Sequence, residues 1–183
     1  MTAKPRTVAL MGGSFNPPHV GHLMAALYVR LCLNDDEVWF VPTFQHPFGK
    51  ATVAYEHRVR MCEIAAENTG PWLKVSTAES AVPSQSGRTI DLLESLLPSH
   101  PDTRFRLVLG SDILSDLPKW KAWDRIQKMV EVTVLYRAGF PAQGTVGPPL
   151  IAVSSSEVRA NLDGALVPSC VLEYIRQNRL FGA

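Results

Sequence analysis

Apolar positions along the chain follow two patterns that take turns. Short runs rich in β-branched and aromatic residues read as strands: Thr7–Met11, Glu37–Val41, Leu73–Ser76, Phe105–Gly110, Glu131–Tyr136 and Leu150–Val153. Between them the spacing is helical. Leu23, Leu27 and Leu31 stand four apart, Val59, Cys62 and Ala66 recur at i, i+3 and i+7, and Val171, Tyr174 and Ile175 mark a last helix after Pro168. Pro42–Ala54 and Arg137–Pro149 have the composition of loops. Strands that alternate with helices need crossover connections, so the expected fold is α/β, a doubly wound parallel sheet covered on both faces. In such sheets ligands bind beyond the carboxyl ends of the strands, near the point where strand order reverses.

Composition narrows the partners. With 183 residues and 46% of them hydrophobic, the chain suffices for one sizeable core, and no repeat or linker divides residues 1–183. A formal net charge of +1 gives no bulk pull toward nucleic acid or an anionic membrane, and neither is an expected partner. The apolar stretch Val8–Met11 stops at Gly12, too short for a signal-peptide core or a membrane span, so a cytoplasmic protein is expected. Cys32, Cys62 and Cys170 are odd in number and far apart in helical segments, which suits buried reduced thiols; no CxxC or HExxH spacing suggests zinc. Oligomeric state is left open, a homo-oligomer included.

Chemistry concentrates where strands end. The first strand runs into Gly12-Gly13-Ser14-Phe15-Asn16-Pro17-Pro18-His19-Val20-Gly21-His22 and then a helix. Two glycines let the main chain approach a ligand, and N–H groups at such a turn favour a phosphate. His19 and His22, three apart on a first turn, share one side and are placed to touch one anion. An ordinary cap or packed polar residue is the competing reading for either. Later, Val153-Ser154-Ser155-Ser156-Glu157-Val158-Arg159 again takes a strand into a helix, with serines as caps and Arg159 able to reach an oxyanion. Between them, Gly110-Ser111-Asp112 sets a carboxylate at a strand's carboxyl edge, suited to ribose hydroxyls, and Trp120 offers a ring for stacking. Asp112 as a helix cap and Trp120 with Trp123 as core are the alternatives there.

The first block resembles the GGSFNPPHxGH signature of the HxGH nucleotidyltransferase superfamily, and Val153–Arg159 is similar to its ISSTxIR motif, with Ser156 where Thr is usual. Gly110–Trp120 resembles the GxDxLxxLPxW stretch of bacterial nicotinate mononucleotide adenylyltransferases, which narrows superfamily to family. Weaker matches follow in order: Lys50, Thr89-Ile90-Asp91-Leu92-Leu93, Arg137-Ala138-Gly139-Phe140-Pro141, and Tyr174-Ile175 with Leu180-Phe181, so that the resemblance spans Val8 to Phe181. It departs at Gln45–Lys50, where the family has Pro-Pro-His-Lys, and at Gly87-Arg88, where the family has Ser-Tyr before the Thr.

The resemblance implies a single Rossmann-like nucleotidyltransferase domain that transfers adenylyl from ATP to nicotinate mononucleotide, giving deamido-NAD and pyrophosphate. It assigns His19, His22, Lys50 and Arg159 to charge stabilisation on the phosphates. Gly12, Gly13, Ser14 and Phe15 would cradle ATP, Ser155 and Ser156 would add donors on the pyrophosphate side, and Gly110 with Asp112 would hold the adenosine. Ser14, Lys50, Thr89, Trp120 and Arg137 would receive the mononucleotide. Mg²⁺ is expected on the ATP phosphates, with no protein metal site. Nicotinamide mononucleotide or phosphopantetheine as acceptor, and a nucleotide-binding sensor without chemistry, remain the alternatives.

Overall fold

The computed structural model of the chain describes residues 5–45, 49, 51–162 and 166–183. Its strands are β1 (Arg6–Gly13), β2 (Glu37–Pro42), β3 (Leu73–Val75), β4 (Thr103–Gly110), β5 (Glu131–Arg137) and β6 (Val146–Leu150). Its helices are α1 (Val20–Cys32), α2 (Tyr55–Glu67), α3 (Ala78–Ala81), α4 (Thr89–Leu96), α5 (Trp123–Met129), α6 (Ser155–Ala160) and α7 (Ser169–Gln177). The strands form one sheet in the order β3-β2-β1-β4-β5-β6, with each neighbouring pair parallel. Strand order reverses between β1 and β4, whose ends carry Gly12-Gly13 and Gly110.

β1 shows why the sheet is wound on both sides. Side chains alternate along a strand, so Val8 and Leu10 join one core cluster while Ala9 and Met11 join the other, and all are buried. The first cluster is closed by Ile90 and Leu93 of α4 and Ile126 of α5; the second by Ala25, Ala26 and Val29 of α1 with Cys62 and Ala66 of α2. A smaller cluster packs α2 against α6 and α7 through Met61, Ala65, Val158, Val171 and Ile175. Full burial of an aliphatic side chain of this kind stabilises by about 1.5–3 kcal/mol.

Three expectations are corrected. The sixth strand is Val146–Leu150, of which all but Leu150 falls in the stretch expected as loop, and the chain leaves the sheet after Leu150, the Val153 N–H turning back to the Ile151 carbonyl at 3.1 Å. β6 is an edge strand, where Pro148 and Pro149 cost no ladder partner on the open side. The buried face of α1 is Ala25, Ala26 and Val29, whereas Leu27 and Leu31 are 40% and 68% exposed: small residues let the helix approach the sheet, and the leucines face outward. Cys32 is exposed and Cys170 half-buried, so only Cys62 fits a buried thiol; all are free.

Candidate active site

The turn after β1 is braced from two directions. Gly12 is exposed, and a Cβ built on it would meet nothing within 4 Å, so this stretch of main chain is open to a ligand. Phe15 sits at φ 45 with its ring buried against Phe40 and His22, each at 4.8 Å between centroids. Beyond it, the Asn16 carbonyl accepts from Arg159 Nη1 at 2.7 Å and the Pro17 carbonyl from Ser155 Oγ at 2.9 Å. The start of α6 thus holds the first loop in place. Ser154, rather than Ser155 or Ser156, caps that helix, its hydroxyl accepting the Glu157 N–H at 3.2 Å.

His19 stands at the N-cap of α1 in extended conformation and His22 one turn on, and their rings stack at 3.7 Å. His22 Nδ1 accepts the His19 main-chain N–H at 3.1 Å, which leaves Nε2 to carry the proton of the neutral ring. Burial, helped by the Arg137 charge and opposed by Glu157, holds the His19 pKa down to about 4. Burial also drives His22 well below the usual histidine range, with His19 and Arg137 adding to it. Both imidazoles are therefore neutral near pH 7. His19 Nδ1 is buried with no hydrogen-bond partner among the described residues. The intervening glycine is required by space: a Cβ on Gly21 would lie 2.9 Å from Val153 Cγ1.

Across the switch point, Arg137 at the end of β5 ties three segments together. It pairs with Asp112, donates through Nη2 to the Val153 carbonyl at 2.7 Å, and its main-chain N–H reaches Ser111 Oγ at 2.9 Å. Gly110 has no room for a side chain, since a Cβ there would collide with the Asp112 carboxylate. The far end is made by Thr89 at the start of α4 and by Trp120, whose ring meets Trp123 edge-on at 5.9 Å. Lys121 pairs with Asp91 at 3.3 Å beside it.

All this opens on one cavity of about 840 Å³, within the size range of ligand sites. Of the residues singled out in the sequence, Gly12, Gly13, Ser14, Phe15, His19, His22, Thr89, Gly110, Asp112, Trp120 and Arg137 line it. Ser155, Ser156 and Arg159 do not; they stand behind the Asn16–Pro17 loop. Lys50 lies outside the described residues, as does most of the departure at Gln45–Lys50. The wall also contains Thr43, Glu79, Lys119 and Lys121, which sequence patterns did not mark. Glu79 is buried, and burial pushes its pKa up to about 7 against the pull of the Phe44 N–H and the Arg58 charge. Among the described residues no group of three or more His, Cys, Asp or Glu could hold a metal ion, and no helix is long and apolar enough to cross a membrane.

The chain is similar to several known proteins. A family model described as cytidylyltransferase-like matches residues 10–161. A protein of Myxococcus xanthus named probable nicotinate-nucleotide adenylyltransferase is 51% identical over 180 residues, covering 96% of this chain and 94% of its own. One of Anaeromyxobacter sp. strain K with the same name is 44% identical over 182 residues, covering 96% and 97%. Among solved structures, Plasmodium falciparum nicotinic acid mononucleotide adenylyltransferase complexed with NaAD superposes with a TM-score of 0.80 at 20% identity, over 96% of this chain and 97% of that one. With these identities over nearly its whole length, the chain belongs to the cytidylyltransferase-like family and, within it, to the nicotinate-nucleotide adenylyltransferases.

Proposed function

We propose that the chain transfers the adenylyl group of ATP to nicotinate mononucleotide, releasing pyrophosphate and forming deamido-NAD. The observation that carries the reading is the single cavity that joins the glycine turn and the His19–His22 pair to Thr89 and Trp120. The names of the relatives supply the substrates. One end offers N–H donors to phosphates and the other a stacking ring and a helix start to a pyridine.

The chemistry asks little of a nucleophile. An oxygen of the mononucleotide 5′-phosphate attacks the α-phosphorus of ATP in line; the bond from that phosphorus to the α,β-bridging oxygen breaks, and pyrophosphate leaves with the electron pair. The protein contributes alignment and charge stabilisation. His22 Nε2–H and the His19 ring meet the building charge as neutral donors, since burial holds both below the usual histidine range. Arg137 adds fixed positive charge at the cavity wall. Arg159 and Ser155 act at one remove, by fixing the Asn16–Pro17 loop. The resemblance assigns Lys50 to charge stabilisation as well. Mg²⁺ enters as the counter-ion of the triphosphate: the wall is rich in cations and N–H groups, and the Asp112 and Asp116 carboxylates are taken by Arg137 and Lys119.

Incubation with ATP, Mg²⁺ and nicotinate mononucleotide should yield pyrophosphate and deamido-NAD in equal amounts. Absence of product with the acid and with the amide acceptor, under conditions where ATP binds, rejects the proposal in favour of a nucleotide sensor.

A further inference from the structure

Arg58 on α2 is 3% exposed and has no carboxylate in hydrogen-bonding contact among the described residues. Its guanidinium spends its donors on main-chain carbonyls: Nη1 on Ser14 at 2.9 Å, Nε on Val53 at 3.2 Å, and Nη2 on Phe44 at 3.4 Å. Ser14 belongs to the turn after β1, on the ATP side of the cavity; Phe44 and Val53 stand near the two ends of the β2–α2 loop, which enters the wall at Thr43. One planar cation therefore spans two loops that no strand or helix joins directly.

Phe44 is gripped from both sides. Its N–H donates to the buried Glu79 carboxylate at 2.8 Å while its carbonyl accepts from Arg58. The loop's other end repeats the arrangement, since the Val53 N–H donates to Asn16 Oδ1 at 3.2 Å while the Val53 carbonyl accepts from Arg58. Burying a guanidinium is costly, and an aliphatic residue would serve if α2 needed only to pack here. A rigid fork of donors is what an aliphatic side chain, or a lysine, cannot supply.

We propose that Arg58 is a positioning residue: it fixes the Ser14 turn, Phe44 and Val53 in one frame, so that the two substrates keep the separation that in-line attack requires. The inference rests on the adenylyl-transfer reading and adds to it a residue that touches neither substrate.

The test compares Arg58→Met and Arg58→Lys with the wild-type chain by steady-state kinetics, ATP binding calorimetry and amide hydrogen exchange. Misplacement on the order of 1 Å costs roughly 100-fold in rate, so Arg58→Met should lose about 30- to 100-fold in kcat. The Kd for ATP should stay within about threefold, because the glycine turn and imidazoles remain. Phe44 and Val53 amides should exchange at least about tenfold faster while β1 amides keep their protection. Arg58→Lys should fall between the two, keeping the charge without the fork. A variant that is only less stable, with wild-type kcat per folded molecule and unchanged exchange at Phe44 and Val53, overturns the proposal. If the wild-type chain forms no dinucleotide, the function reading fails instead, and exchange alone decides the role of Arg58. Should Arg58→Met not fold, Arg58→Lys and Glu79→Ala, which frees the Phe44 N–H, carry the same readouts.

Discussion

The His22 ring lies 3.7 Å from that of His19 and accepts the His19 main-chain N–H at Nδ1. That bond fixes the tautomer of a neutral His22, so its free N–H is aimed rather than incidental. It also means that each imidazole can be removed with different consequences.

Replacing His22 by Ala should lower kcat far more than it weakens ATP binding, because a donor aimed at charge that develops on the phosphorus acts mainly in the transition state. The expected loss is about 2–4 kcal/mol of barrier, by analogy with the removal of an oxyanion donor. Kinetics on a variant shown by circular dichroism to be folded measures this; normal turnover would remove His22 from the chemistry.

Acid should act on stability through His19. Its folded pKa of about 4 lies below the ordinary 6.5, so between these values the unfolded chain binds a proton that the folded chain refuses, and stability falls as pH drops. Glu79 works in the opposite sense: its folded pKa of about 7 exceeds 4.5, so its contribution is complete below 4.5 and is lost as pH rises through 7. The two slopes oppose each other in wild type. Urea unfolding of His19→Gln should therefore show a gain of about 2–3 kcal/mol over wild type at pH 4.5 relative to pH 7.5, at about 1.4 kcal/mol per unit. An unchanged difference between the two pH values would contradict the neutral state of His19.

Nicotinate mononucleotide should be preferred over its amide. Arg88 and Lys121 line the cavity beside the start of α4 at Thr89, and Arg88 has no ion-pair partner among the described residues. Trp120 would stack on either ring, so discrimination would fall to these cations and the helix N–H groups, which suit a carboxylate and leave an amide NH₂ facing donors. In a competition assay Arg88→Ala should narrow the kcat/KM ratio by roughly tenfold, the value of one charge-assisted bond. A wild-type ratio near unity rejects the preference and leaves adenylyl transfer untouched.

Chelation should abolish turnover and added Mg²⁺ restore it, with no metal retained by the dialysed protein. Triphosphate oxygens provide the hard ligands, whereas the Asp112 and Asp116 carboxylates of the wall are paired with Arg137 and Lys119. Stoichiometric zinc that survives dialysis and tracks activity would make His19 and His22 ligands.

What could be read in the sequence was local. Gly12-Gly13, His19 and His22 carry their meaning in spacing, and a turn between strand and helix forces them together whatever the rest of the chain does. Other features depend on partners far along the chain. Arg58 meets Ser14 across 44 positions and Glu79 meets Phe44 across 35, and no periodicity reports such pairs. The α1 leucines misled because a four-residue repeat marks an apolar stripe without saying which neighbour needs it, and the sheet took Ala25, Ala26 and Val29 instead. Pro148 and Pro149 hid β6, since a proline pair signals a loop unless the strand has a free edge. Val153–Arg159 was legible as a motif but not as a brace: only the contact of Ser155 with Pro17 and of Arg159 with Asn16 shows that it holds the first loop.

β1 passes the chain to α1 on one face of the sheet, and β4 passes it to Leu117 and α5 on the other. The imidazole pair rests on Phe15 and Phe40 of the first face, whereas Thr89 and Trp120 stand on elements that pack on the second. On the proposed reading, selection of the acceptor and handling of the triphosphate would thus have separate foundations. Substitutions at Gly87, Arg88, Lys119 or Lys121 can retune which ring is admitted without disturbing the seat of His19 and His22. A chain built on this plan would be free to exchange its second substrate while the reaction itself stayed the same.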